Sequence, residues 1–246
     1  MDFDFNDDQV ALREAVQKWV EKGYDFERRK TIVAAGGFDR TAYGELAELG
    51  LTGLYVGEDD GGMGMGPVEG MVVMEALGGG VVLEPLAQAL IAGGVLGAYA
   101  PAEVKAAWSG RVASGEALVV LAQQERGARY RLDATQATAQ HTADGWTVTG
   151  TKNLVPVADR ADGFLVPALA DGKLALFVVD AKAAGVKTTG HLTQDGGRAG
   201  DLVLTNAPAH LVTADGLAAL EHAVDIGIAA TCAEAVGVMD KTVAIT

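Results

Sequence analysis

The chain has 246 residues, of which 49% are hydrophobic and 21% charged, and it carries a formal net charge of −14. This length is sufficient for a sizeable core and for two domains. So acidic a chain is not expected to bind nucleic acid through a basic surface. An anionic ligand would require a local basic patch or helix N-termini.

Cysteine content and apolar runs restrict the class of protein further. Cys232 is the sole cysteine, which excludes an intrachain disulfide framework and a Cys-rich zinc site. It lies on the apolar face of a predicted helix, so we expect a core residue. The four histidines are dispersed, and no metal site is predicted. The acidic N-terminus is unlike a secretory signal, and runs such as 78–83 and 226–232 do not suit a bilayer, so we expect a cytoplasmic protein without a membrane span.

Helical patterns occupy the first half of the chain. Asn6 has the signature of an N-cap with a capping box, and an amphipathic helix is predicted over 7–22. Thr41 is predicted to cap a second helix over 42–49. Further helices are predicted over 67–78, 84–98 and 101–109.

Strand patterns follow from about residue 114. Asp144-Gly145 and Asp171-Gly172 are hairpin signals between alternating segments. Strands are predicted over 119–122, 135–142, 146–149, 164–167, 174–179 and 202–204. Their spacing of roughly 8–12 residues favours an antiparallel barrel over a βαβ sheet.

A helical period returns at Gly216 and continues to the last residue, without a glycine cap, a proline or a basic last turn. We therefore expect a helix that is cut in its middle. The predicted organisation is an all-α domain over 1–115, a β-barrel domain over 116–212 and the incomplete start of a further helical domain over 213–246.

Two motifs in the barrel region carry a family resemblance. Residues 124–131, QERGARYR, follow the first strand where acyl-CoA dehydrogenases usually read T-E-P-G-A-G-S-D. Residues 152–156, KNLVP, stand where that family has a lysine followed by W-I-[ST]. The chain resembles these flavoenzymes throughout its length. The resemblance implies an α+β fold with an N-terminal helical domain, a middle antiparallel β-barrel and the first helix of a truncated C-terminal four-helix bundle.

Other segments indicate a branch of the family. Residues 193–202, TQDGGRAGDL, and 232–237, CAEAVG, resemble in particular the small subunit of pimeloyl-CoA-dehydrogenase-like enzymes. That branch suggests a dicarboxylyl-CoA as substrate. It also implies association with another dehydrogenase chain, as a homo- or hetero-oligomer.

The resemblance implies FAD as cofactor and assigns site residues by position. The implied flavin contacts are Leu121, Gln123, Gln124, Leu154, Val155 and Pro156. Tyr130 replaces the usual substrate-contacting serine, and with Arg129 it is the implied substrate contact. Pro156 replaces a hydroxyl residue, so one donor to the flavin is lost. Taken without the resemblance, Glu125 is an exposed turn carboxylate, and Leu154 and Val155 are ordinary barrel residues.

The arginines in this region form a basic minority in an acidic chain. Arg126, Arg129, Arg131 and Arg198 could meet phosphates or a terminal carboxylate. The alternative for each one is an ion pair with a surface acid.

The implied reaction is α,β-dehydrogenation of an acyl-CoA in fatty acid oxidation, with electrons passed to an electron-transfer flavoprotein. A carboxylate takes the Cα proton while a hydride leaves Cβ. The base that some branches keep on the first C-terminal helix aligns with Gly227, so no catalytic residue is assigned. Two alternatives remain open: a non-catalytic subunit of a heteromeric dehydrogenase, and a flavin monooxygenase of the same fold.

Overall fold

A computed structural model describes residues 4–246 of the chain. The helices are α1 (Asp7–Gly23), α2 (Phe26–Ala34), α3 (Arg40–Glu48), α4 (Pro67–Gly78), α5 (Leu86–Tyr99), α6 (Ala102–Ala113) and α7 (Gly216–Ala244). The strands are β1 (Val119–Leu121), β2 (Thr138–Thr142), β3 (Gly145–Pro156), β4 (Gly163–Ala170), β5 (Lys173–Asp180), β6 (Val186–Leu192) and β7 (Arg198–Thr213).

The helix starts test the capping predictions. At α1 the Asn6 side chain accepts from the Gln9 N–H at 2.8 Å, and the Gln9 side chain accepts from the Asn6 N–H at 3.1 Å, so the capping box is confirmed. Thr41 is not the cap of α3. That role belongs to Asp39, which has an extended backbone and accepts from the Thr41 N–H at 2.9 Å. Helix α2 was not predicted, because its charged sequence shows little apolar periodicity and buries only Ile32.

The strands close into a barrel, as the sequence predicts. Antiparallel pairs run from β4 to β5, β7, β3 and β2 in turn, and β2 then pairs with β4 to complete the ring. The β2–β4 and β1–β4 pairs are parallel, which the sequence did not predict. Strand β7 is also far longer than the predicted 202–204, because its successive parts pair with β6, β3 and β5.

Strands β4 and β5 are apolar without interruption because both of their faces are covered. Phe164, Val166 and Phe177 point into the core inside the barrel. Leu165 and Val178 pack on the other side, in a core shared with α5, α6 and α7. A strand buried on both faces reads as a continuous hydrophobic run rather than as an alternation. The barrel and the helices are therefore held by contiguous cores.

Helices α4 and α7 approach each other closely at glycines. A Cβ atom added at Gly237 would lie 1.8 Å from the Glu75 carbonyl oxygen, and one added at Gly78 would lie 2.1 Å from the Glu234 carbonyl oxygen. The two backbones are in contact there, and no larger residue fits without movement.

Helix α7 requires a qualification of the prediction that no segment spans a membrane. It has 29 residues and a window of mean hydropathy 1.3, of which 22% is buried, so length and composition alone would permit a span. The sequence prediction considered only shorter runs. Core helices of soluble proteins can satisfy the same two criteria, but they are mostly buried, whereas 22% of this window is. Helix α7 packs one side on α4 and α5.

Candidate functional site

A cavity of about 510 Å³ lies between α5, α7 and the ends of β1 and β3. All of the implied flavin contacts border it, namely Leu121, Gln123, Gln124, Leu154, Val155 and Pro156. The opposite wall is formed by two helices, with Gln88 and Ile91 from α5 and Gly227, Ile228 and Cys232 among the residues from α7. Segments far apart in sequence thus converge on one space, and their role as cofactor contacts stays a prediction.

The backbone of β3 is strained where it borders this cavity. Leu154 has φ +52°, a left-handed conformation that costs a non-glycine residue about 1–2 kcal/mol. The register between β3 and β7 shifts between Lys152 and Val155, and this irregularity turns Leu154 outwards with 59% of its surface exposed. The interpretation of Leu154 as an ordinary barrel residue is therefore wrong, whereas Val155 does belong to the barrel core.

Amide side chains supply the polar groups beside β1. Gln88 Oε1 accepts from the Leu121 N–H at 2.9 Å. Gln123 Oε1 is buried at the cavity wall and has no hydrogen-bond partner among the described residues. A buried acceptor beside a cavity is positioned to accept from a molecule that enters the cavity. Such neutral amides fit the polar pyrimidine edge of a flavin.

The cavity wall contains no acid or base of the usual catalytic kind. Among the described residues that border it there is no Asp, Glu, His, Lys or Arg. A Cβ atom added at Gly227 would meet only Ile91 Cδ1, at 3.5 Å, so this position leaves open space where a base could stand. Cys232 is exposed and borders the cavity, which corrects its prediction as a core residue.

A buried ion pair supports the turn that follows β1. Lys152 is 0% exposed, and its Nζ donates to Glu125 Oε1 at 2.7 Å, to Pro167 O at 2.8 Å and to Thr135 Oγ1 at 2.9 Å. The Glu125 side chain is only 9% exposed. Glu125 is therefore not the exposed turn carboxylate that its isolated sequence suggests.

The pKa of each partner of this pair is lowered, which favours the charged form of Glu125 and disfavours that of Lys152. Burial lowers the pKa of Lys152, and the hydrogen bond to Glu125 opposes that change. Burial by itself raises the pKa of Glu125, but hydrogen bonds from Lys152, from Thr135 and from a backbone N–H outweigh it, and the net pKa lies below its usual range. The pair fixes the turn on the barrel, and the Asn153 N–H adds a bond to Gln124 O at 2.8 Å.

The implied substrate contacts lie beside the 510 Å³ cavity that the implied flavin contacts border, which we call the main cavity. Tyr130 and Arg129 border a smaller cavity of about 220 Å³, which also touches Gln123 and Gln124. Tyr130 is 91% exposed, and Arg129 has a strained φ of +52°. The structure therefore brings these residues next to two of the implied flavin contacts without placing them on the wall of the 510 Å³ cavity.

The arginines divide into paired and unpaired groups. Arg131 bonds Asp133 at 2.9 Å and Arg198 bonds Asp159, so the surface ion pair is the correct alternative for both. Arg126 and Arg129 form no ion pair with any residue in the described range 4–246, and both border a cavity of about 600 Å³. Every other arginine in the chain contacts a carboxylate or a backbone carbonyl.

A further cavity of about 580 Å³ shares Leu154 and Pro156 with the first. Glu84 and Glu234 border it, and burial raises the pKa of each carboxyl. Glu84 is 4% exposed, and its Oε2 has no hydrogen-bond partner among the described residues. Sequence reasoning missed Glu84 and also Gln88. For Gln88 a signal existed, since it is an isolated amide in an otherwise apolar helical sequence.

The chain is similar to proteins of one family. Residues 6–116 match the family model described as "Acyl-CoA dehydrogenase, N-terminal domain". The chain is 31% identical over 171 residues to acyl-CoA dehydrogenase FadE27 of Mycobacterium tuberculosis, an alignment that covers 69% of this chain and 44% of FadE27.

Solved structures agree with this similarity. The Tcur3481-Tcur3483 steroid ACAD G363A variant has a TM-score of 0.87 and 29% identity, covering 97% of this chain and 65% of that one. The ChsE4-ChsE5 complex from Mycobacterium tuberculosis gives 0.84 and 27%, covering 98% and 66%. The chain spans about half the length of the curated relatives that it matches. On the matched helical domain, the closed barrel and these relatives together, the chain belongs to the acyl-CoA dehydrogenase family.

Proposed function

We propose that this chain forms the flavin-binding and acyl-binding walls of a site for FAD-dependent α,β-dehydrogenation of an acyl-CoA thioester. The observation that carries the proposal is the convergence of the implied flavin contacts from two distant segments, 121–124 and 154–156, on one cavity. The mixture of apolar surface with a few amides is typical of a cofactor site.

The residues around the cavity have separable roles in this proposal. Gln123 and Gln124 would hold the polar edge of the flavin, and Leu154 with Pro156 would flank the ring system. When bound, FAD would supply the hydride acceptor for the Cβ hydrogen. Ile91, which is 4% exposed, would exclude water from the acyl group, and exclusion of water strengthens the polar contacts inside the site.

The two unpaired arginines beside the 600 Å³ cavity, Arg126 and Arg129, suit the phosphates of a coenzyme A ester. Arg126 and Arg129 are not neutralised by any described carboxylate, although the chain carries a net charge of −14. Charge-assisted hydrogen bonds between guanidinium and phosphate are among the stronger polar contacts. Tyr130 borders both the cavity of about 600 Å³ that contains these arginines and the smaller cavity of about 220 Å³.

The base that removes the Cα proton is not part of the cavity wall. The wall has no carboxylate in the described chain, and Gly227 stands where some branches of the family keep one. The base would come from residues beyond this wall or from another chain. The same observation favours a second candidate function, in which this chain is a non-catalytic subunit that completes the site of a partner dehydrogenase.

A partner chain and an electron acceptor belong to this proposal. Two of the similar solved structures, Tcur3481-Tcur3483 and the ChsE4-ChsE5 complex, are named for a pair of proteins. Helix α7 exposes apolar side chains such as Ile228 and Met239, which a second dehydrogenase chain would cover. An electron-transfer flavoprotein would take the electrons. The acyl group would be a dicarboxylyl group. A steroid acyl group is the alternative, because the similar Tcur3481-Tcur3483 structure is named a steroid ACAD.

An anaerobic titration of the purified chain tests the proposal. Flavin absorbance would be followed while straight-chain, ω-carboxylated and steroid acyl-CoAs are added separately. Bleaching by one class would identify the substrate and support the dehydrogenase. Flavin that binds but is not reduced by any acyl-CoA, and that is reduced once a partner dehydrogenase is added, would support the non-catalytic subunit. A chain that binds neither FAD nor acyl-CoA would contradict both functions.

A further inference from the structure

Helix α5 contains one amide side chain in an otherwise apolar sequence, LAQALIAGGVLGAY. That residue, Gln88, lies in the first turn of the helix and faces the end of β1. Its Oε1 accepts from the Leu121 N–H at 2.9 Å. This contact uses one polar atom of the amide, and Gln88, which is half-buried, has its Nε2 left for another partner.

The partner of Gln88 fixes the orientation of the amide. The Ala122 N–H bonds Leu165 O of β4 at 2.8 Å, so the N–H of the preceding residue points away from β4. Strand β1 pairs only with β4 in the described chain, and the Leu121 N–H would otherwise lack an acceptor. Of the two polar atoms of the Gln88 amide, only Oε1 can accept from an N–H group, so it is the oxygen that faces Leu121.

The other atom of this amide is therefore a fixed donor at the cavity wall. Gln88 Nε2 has no acceptor among the described residues, and Gln88 borders the main cavity together with Leu121 and Gln123. The cavity wall around it offers no charged group. A neutral donor of fixed direction in an apolar space selects an uncharged acceptor, because an unpaired charge would be costly to bury there.

We propose that Gln88 is a ligand-binding residue whose Nε2 donates a hydrogen bond to a carbonyl oxygen of the molecule held in the main cavity. This inference rests on the proposed function, which supplies two carbonyl-bearing ligands, the flavin pyrimidine ring and the acyl thioester. Both present the same acceptor chemistry. The contact makes Gln88 a bridge between β1, which it anchors through Oε1, and the ligand, which it orients through Nε2.

Two substitutions separate the structural contact from the ligand contact. Gln88→Glu has the same shape and keeps an oxygen for the Leu121 N–H, but it replaces the donor with a carboxylate oxygen that repels a carbonyl. Gln88→Leu removes both contacts. The melting temperature is therefore expected to fall by a few degrees in Gln88→Leu at any pH. In Gln88→Glu it should fall at neutral pH, where an unpaired charge is enclosed, and recover towards that of the wild type as the introduced carboxylate is protonated.

The binding measurements use the full chain with FAD and, separately, with octanoyl-CoA and glutaryl-CoA as probes. FAD affinity is measured by quenching of flavin fluorescence, and acyl-CoA affinity by calorimetry. We expect Gln88→Glu to weaken one probe by about tenfold. This loss should shrink as the pH is lowered towards the ordinary carboxyl pKa of about 4.3, because protonation of the introduced carboxylate restores a donor at this position.

Each outcome has a defined meaning. Weaker FAD binding with unchanged acyl-CoA binding assigns the carbonyl to the flavin, and the reverse assigns it to the thioester. Unchanged binding of both probes by Gln88→Glu overturns the inference and leaves the proposed function intact. Failure of the wild-type chain to bind either probe contradicts the proposed function and this inference with it.

Discussion

Lys152 Nζ lies 2.7 Å from Glu125 Oε1 inside the wall of the barrel, although 27 residues separate the two in sequence. One belongs to β3 and the other to the turn after β1. The pair therefore links the two motifs that border the candidate flavin cavity.

Removal of the lysine charge is expected to destabilise the fold strongly. Lys152→Met would leave Glu125 as an enclosed carboxylate without its cation, which costs about 3–5 kcal/mol of unfolding free energy. Urea denaturation measures this loss. Arg131→Met is the matched control, because its ion pair with Asp133 is exposed, and we expect a change of less than about 1 kcal/mol. Equal effects of the two substitutions would contradict a buried pair.

Glu84 is expected to make stability decline as the pH rises. Burial raises its pKa, so the folded chain holds the proton more tightly than the unfolded chain. This contribution is complete below the unfolded pKa of about 4.3 and is lost as the pH rises through the folded pKa. Glu84→Gln should remove that decline. Urea midpoints between pH 4 and pH 8, roughly the range that spans these titrations, would show it. Glu103→Gln is the control, because it makes the same substitution at an exposed position on α6. Because Glu234 also has a raised pKa and contributes a decline of its own, a decline of the same size in Glu84→Gln and in the wild type would refute the assignment.

The glycine contact between α4 and α7 is expected to tolerate no side chain. Gly237→Ala places a Cβ 1.8 Å from the Glu75 carbonyl oxygen, and relief of this overlap should cost about 1–3 kcal/mol. Gly227→Ala, on the same helix, meets only Ile91 Cδ1 at 3.5 Å and should stabilise the helix by up to about 1 kcal/mol. Thermal unfolding should show a lower melting temperature for Gly237→Ala and an equal or higher one for Gly227→Ala than for the wild type. Stabilisation by both would show that α4 and α7 are not in backbone contact.

Arg126 and Arg129 are expected to bind the phosphates of a coenzyme A ester. The double substitution to glutamine should weaken binding of free coenzyme A by about tenfold or more, because two charge-assisted contacts are lost. The salt dependence of binding should fall as well. Calorimetry at low and high salt measures both changes. Arg131→Gln is the control, since Asp133 already neutralises this arginine. An equal loss in the control would indicate only a general charge effect.

Cys232 is expected to report whether the cavity is filled. Its exposed thiol borders the cavity, so a maleimide reagent should label it in the ligand-free chain. Saturating FAD or acyl-CoA should slow the labelling, because the ligand covers the thiol. The rate is followed by mass spectrometry, with the urea-unfolded chain as the fully accessible reference. Labelling that is unaffected by a ligand known to bind would place that ligand elsewhere.

The sequence by itself determined the local features of this protein. The Asn6 capping box, the helix 67–78 and the hairpins at Asp144-Gly145 and Asp171-Gly172 depend on residues within a few positions of one another. Such short-range interactions can be recognised in the sequence because the backbone geometry of a single turn determines them. Motif resemblance also placed the implied flavin contacts, which the fold gathers around one cavity.

Only the tertiary structure decided the contacts between distant segments. Sequence periodicity cannot relate residues that are far apart in the chain. Four contacts of this kind are the parallel pairing of β2 with β4, the enclosure of Glu125, the bond from the Leu121 N–H to Gln88 and the backbone contact at Gly237. The physical reason is that burial and pairing are properties of the packed chain. A carboxylate, an amide or a glycine has the same local sequence pattern whether it faces water or a neighbouring element, and only packing determines which of the two it faces.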